Sequence, residues 1–116
     1  MANTFKVKTN AAMPSSAGTA LTLYTVPSST TTVVVGLTLC NVHTSAVTAT
    51  VKIESDTSDT ETNENVTVVK DASIPAGSSL ELLSGGKYVL QTTDVVKIDC
   101  SVSAKIDATL SIMEIT

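Results

Sequence analysis

Residues able to do chemistry are few in this chain. The single histidine, His43, stands beside Thr44 and Ser45, the residue types of a base and its nucleophile. The residues on either side alternate like strands, so His43-Thr44-Ser45 reads as a turn and its histidine as a solvated one. Cys40 and Cys100 are sixty residues apart, far from the clustered Cys and His spacing of a zinc site. Glu54 to Glu64 carries five of the eleven acids, but Asp56, Asp59 and Glu61 lack the acid-every-second-residue spacing and the central Gly of an EF-hand loop. This segment reads as a solvated loop tip whose charge discourages pairing with another chain. Gly85-Gly86 precedes no helical pattern, so it is not a phosphate-binding loop, and Gly36 lies mid-strand, where a bulge or a close backbone approach is expected. Glu114, between Met113 and Ile115, is the one acid in an apolar run, and it reads as a partner contact or a sheet-edge feature. The sequence thus assigns no catalytic, cofactor-binding or metal-ligating residue and no cofactor. It predicts a protein that is not an enzyme.

The elements behind these residues are strands. In Val47 to Glu54, Val47, Ala49, Val51 and Ile53 alternate with Thr48, Thr50, Lys52 and Glu54, the period of two that gives one apolar face. Before it, Thr31 to Val42 is apolar at Val33, Val35, Leu37 and Leu39 and again at Val34, Cys40 and Val42. It is expected to be a central strand, with the first set facing the core, paired to its neighbour as a hairpin through His43-Thr44-Ser45. Phe5 and Val7 alternate with Lys6 and Lys8 in a short edge strand or extended arm, and residues 10–19 read as a loop. Leu21 and Leu23 are placed opposite Thr22, Tyr24 and Val26. Residues 65–70, 79–83 and 87–91 follow as short strands, the last two joined by a tight turn at Ser84-Gly85-Gly86-Lys87. Val96, Ile98, Cys100 and Val102 face inward in the next strand, as do Ile106, Ala108, Leu110 and Ile112 in the last.

Eight or nine short strands and no helical period predict an all-β fold, an antiparallel two-sheet β-sandwich of jelly-roll or immunoglobulin-like topology. The expected organisation is an N-terminal arm, first strand and loop over 1–18 and a single sandwich domain over 19–116. With Val33 to Leu39 inward, Cys40 faces away from Cys100, so no intrachain disulfide is expected unless a bulge at Gly36 intervenes.

With 116 residues, 42% of them hydrophobic and 16% charged, the chain is long enough for one core. Its formal charge is −4 and all seven basic residues are Lys. Nucleic-acid binders draw on Arg and a basic surface, so nucleic acid is not an expected partner. Phe5, Tyr24 and Tyr88 are the only aromatics, too few for a base-stacking platform. No apolar run reaches the length of a membrane span and the first residues lack a signal-peptide core, so no membrane partner is expected and the mature chain is expected to be soluble and to start near Met1.

Two blocks, Leu23 to Leu37 (Leu-Tyr-Thr-Val-Pro-Ser-Ser-Thr-Thr-Thr-Val-Val-Val-Gly-Leu) and Asn41 to Thr48 (Asn-Val-His-Thr-Ser-Ala-Val-Thr), resemble small virion structural proteins of tailed bacteriophages, including marine and cyanobacterial ones. Val69 to Leu80, the Gly-Gly-Lys turn, Val89-Leu90 with Asp94, and Leu110 to Ile115 resemble the same pattern. The resemblance implies a non-enzymatic sandwich made in the host cytoplasm and located in the virion. It would be a capsid decoration or cement protein that stabilises the particle, with the major capsid protein or other virion proteins as partners and with self-association into a homo-oligomer. Contacts are expected through the segment Met1 to Asn10 or an open sheet edge such as the last strand. The alternative is a tail, neck or fibre accessory protein that binds a receptor or glycan, for which Tyr24 and Tyr88 are the tyrosines available to stack on a sugar.

Overall fold

The computed structural model describes residues 2–55, 63–83 and 86–116. Its nine strands are β1 (Asn3–Met13), β2 (Leu21–Thr25), β3 (Thr31–Asn41), β4 (Val47–Glu54), β5 (Val66–Ile74), β6 (Ser79–Glu81), β7 (Tyr88–Leu90), β8 (Val95–Cys100) and β9 (Ile106–Ile115). One sheet has the order β1-β9-β3-β6, with β7 also paired to β3, and the other β2-β8-β4-β5. All pairings are antiparallel. The fold is a β-sandwich.

The order has a simple logic. The first half of the chain pairs with the second half in reverse, β1 with β9, β2 with β8, β3 with β6 and β7, and β4 with β5, as a long two-stranded ribbon that doubles back between β4 and β5. Rolling that ribbon brings β9 beside β3 and β8 beside β4, which completes the two sheets. Only β4 to β5 and the interrupted β6 to β7 stay within one sheet; every other connection crosses the sandwich. This is jelly-roll topology, not the immunoglobulin arrangement. Inward residues of both sheets then share one core, including Leu23, Leu39, Val51, Ile98, Ile106 and Leu110.

Where alternation is unbroken, the expected faces hold: Val47, Ala49 and Val51 are buried, as are Val96, Ile98 and Cys100, and Ile106 through Ile112 at every second position. Bulges alter the rest. β3 slips register against β9 between Val34 and Gly36, so Thr32 and Val34 point inward ahead of the bulge and Leu37 and Leu39 after it, while Val33 and Val35 turn outward. The expectation that Val33 and Val35 face the core is therefore corrected, because one extra residue reverses parity within the strand. Cys40 stays on the outer face and Cys100 is buried in the opposite sheet, both as free thiols. A second bulge between Thr22 and Tyr24 turns Tyr24 inward with Leu23 and Val26. A third, with Ala12 at φ 55° between Asn10 and Met13, carries β1 on to a fully buried Met13 opposite Ile106. Residues 10–13 thus continue the strand where a loop was expected.

The β3–β4 hairpin is also corrected: the two strands lie in different sheets. Asn41, fully buried at the end of β3, donates through Nδ2 to the carbonyls of Ser45 at 3.0 Å and Ile74 at 2.9 Å, and its Oδ1 accepts the His43 N–H at 2.8 Å. This local side-chain turn diverts the chain across the sandwich. β6 and β7 do not form a hairpin either. Both pair with β3, and the chain takes seven residues from Glu81 to Tyr88 where β3 takes four from Thr38 to Val34, so the two strands form one interrupted edge; residues 84–85 of the expected turn lie outside the described residues. The last strand, expected as an open edge, is enclosed between β1 and β3. The uninterrupted open edge of that sheet is β1, opposite the β6 and β7 edge.

Candidate interaction surface

The outer face of the larger sheet departs from the usual polar exterior. Phe5 stands opposite Met113, Met113 opposite Val33, and Val33 opposite Val89. These four side chains form one apolar row across β1, β9, β3 and β7, since directly opposed residues project from the same face. Phe5 is 75% exposed and Val89 59%. Val7, 64% exposed, stands in the next row of the same face, opposite Ser111, and the bulge leaves Val35 partly exposed there too. Two rows farther along the strands the pattern becomes polar, with Thr9, Thr109, Thr38 and Glu81 in register. The apolar area is therefore a bounded patch at one end of the sheet, next to the open β1 edge.

Beneath β1 lies a charged network. Glu114 continues the inward series Ile106, Ala108, Leu110, Ile112 and is 6% exposed. Its Oε1 meets Lys6 Nζ at 2.7 Å, and its Oε2 accepts a 2.5 Å hydrogen bond from the Tyr24 hydroxyl. With the tyrosine proton committed to the carboxylate, the 2.9 Å contact between Tyr24 and Thr32 has the Thr32 hydroxyl as donor. The hydrogen bonds from Lys6 and then Tyr24 hold the Glu114 carboxyl below its usual pKa. Burial, reinforced by the bond to Glu114, pushes the Tyr24 phenol up to about 12. A sheet-edge lysine thus ties β1 to β9, β2 and β3. Lys6, Tyr24 and Glu114 line an open groove of about 470 Å³ between β1 and β2.

A second cleft, of about 490 Å³, opens between β5 and β7 and is lined by Tyr88, Gln91, Asp94, Ser55, Asn63 and neighbouring apolar residues. Asp94 Oδ2 accepts the Gln91 N–H at 2.9 Å, while its buried Oδ1 has no partner among the described residues. Of the two tyrosines proposed for sugar stacking, Tyr24 is consumed in the core and Tyr88 remains at the cleft. His43, half-buried, serves the Asn41 corner through its backbone. Among the described residues no three of His, Cys, Asp and Glu cluster as metal ligands, and the acids at 56–61 lie outside them. No described helix is long and apolar enough to cross a membrane.

The surface patch was hidden in the sequence because Phe5 and Val7 alternate with Lys6 and Lys8 whichever face looks inward. Glu114 was signalled by its parity, sitting where the next core residue of β9 belongs. Compared with known proteins, the chain matches no family model, no curated protein and no solved structure.

Proposed function

We propose that this chain is a virion structural protein, a capsid decoration protein that adds to an assembled phage particle through protein–protein contacts. The observation that carries this reading is the apolar row Phe5, Met113, Val33 and Val89 on an outer sheet face beside an open edge. Such a face has no role in the protomer's own core, and covering it with another protein removes apolar surface from water. The sequence resemblance to phage virion proteins supplies the kind of partner, a capsid shell or its neighbours. Jelly rolls recur among capsid proteins and also among lectins, so the fold supports the reading without deciding it. The test is a reconstruction of the particle: density for this sandwich on the head, with its larger sheet against the shell, is the expected result, and its absence from the head counts against the decoration role.

The cleft between β5 and β7 favours a second reading, a tail or fibre accessory that binds a glycan. Tyr88, partly exposed, can offer a ring face to a sugar, and Gln91, Asn63 and Ser55 offer hydrogen-bonding groups around it. Saturable binding of a soluble glycan that is lost in Tyr88→Ala would move the assignment to this reading.

A further inference from the structure

We propose that two copies of this chain pair through β1, edge to edge and antiparallel, about a two-fold axis between their Phe5 residues. The backbone pattern of β1 sets this register. Ala2 and Thr116 exchange hydrogen bonds of 3.2 and 2.9 Å, and the β1–β9 register runs unbroken from Asn3 to Asn10. Antiparallel pairs alternate between bonded and non-bonded, so the even-numbered residues of β1 spend their N–H and C=O groups on β9. Asn3, Phe5, Val7 and Thr9 present theirs on the open edge. Among the described residues this is the longest regular open edge: β2 has five residues, β6 and β7 are interrupted, and β5 is bulged twice with Asp71 at φ 52°, a shape that discourages pairing.

Lysines often protect an edge, and here they rule out the neighbouring registers, leaving the Phe5-centred one with a longer overlap than one centred on Thr4. Centring the two-fold on Lys6 sets Lys6 against the partner subunit's Lys6, and centring it on Val7 sets Lys6 against the partner's Lys8; like charges directly opposed are unfavourable. Centring it on Phe5 places Lys6 against the partner's Thr4 and Lys8 against the partner's Ala2. Phe5 then exchanges both backbone hydrogen bonds with the partner's Phe5, and Val7 does so with the partner's Asn3. Lys6 is also drawn back over its own sheet by Glu114. The contact is isologous and closes on itself. It joins the apolar rows of both copies into one continuous row. The pairing stands on the edge geometry alone; only the idea that the joined row then faces a capsid rests on the reading above.

The test uses the full chain in solution. Sedimentation should show a dimer that Val7→Pro converts to monomer, because the Val7 N–H faces the open edge and takes no part in the β1–β9 ladder, so the melting temperature should hold. In a Cys40→Ser background, mild oxidation should link Phe5→Cys to its symmetry mate, since opposed bonded residues lie within disulfide reach, whereas Val7→Cys, displaced from its own mate, should stay unlinked. A chain that is monomeric at all concentrations, or that cross-links at residue 7 as readily as at residue 5, overturns the proposal. A monomer that still binds particles refutes only the pairing, and a cross-linked dimer that binds none refutes only the capsid reading.

Discussion

Glu114 shows how one side chain can reveal a surface. An acid at an inward position of a sandwich strand is costly unless it is paired and hydrogen-bonded, and here Lys6, Tyr24 and Thr32 complete the arrangement. Its folded pKa is depressed, so its contribution to stability is present above the ordinary glutamate pKa and is lost as pH falls through the folded value. Tyr24 acts in the opposite direction: its raised value contributes stability that is lost as pH rises from about 10 to about 12. Melting temperature measured against pH should fall at both ends, and Glu114→Gln should flatten the acid limb; an unchanged acid limb would show that the network does not link to folding. Asn41 is the other decisive residue. Asn41→Ala removes the groups that satisfy two carbonyls and an amide at the corner, and should cost about 2–4 kcal/mol in denaturant unfolding, against well under about 1 kcal/mol for Thr44→Ala. Its importance was not legible beforehand, because an Asn beside a His-Thr-Ser turn looks the same whether the turn closes a hairpin or crosses between sheets.

The strands β8 and β9 were readable because nothing interrupts their alternation, and every second residue of each points into the core. β3 was not, since the bulge near Gly36 is a backbone event that two apolar faces conceal: either parity offers valines and leucines to the interior. The bulge was foreseen at Gly36, but the close approach was not found. A Cβ there would lie 4.0 Å from Ser111 Cβ, and no positive φ demands glycine. Gly36→Ala should therefore be neutral or stabilising by up to about 1 kcal/mol. Ile98→Ala, in contrast, opens a cavity at a fully buried site and should cost about 2–5 kcal/mol. Lys97→Ala removes only a partly exposed 3.1 Å bridge to Glu54 and should cost less than about 1 kcal/mol. Equal losses for Ile98→Ala and Lys97→Ala would contradict the assigned faces of β8.

At the scale of the molecule, one chain rolled upon itself leaves two kinds of unfinished surface: the free edge of β1 and the apolar row that crosses its sheet. Both follow from β1, whose Phe5 and Val7 face outward and whose Met13 enters the core. Deleting residues 1–9 would therefore uncover β9 and remove the Lys6 partner of Glu114, lowering stability together with any assembly. Point changes on the far end of the row separate the two effects. Val89 stands on β7, away from the β1 edge and outside the core, so Val89→Lys alters the patch while leaving folding and the β1 edge intact. The direct measurement is the affinity of purified Val89→Lys for particles lacking the protein, beside the unaltered chain and Thr67→Lys on the opposite sheet. A loss of about tenfold or more, equivalent to about 1.4 kcal/mol, with unchanged melting temperature and with Thr67→Lys binding normally, is the predicted result; Val89→Lys binding as tightly as the unaltered chain would contradict a docking role for the apolar face.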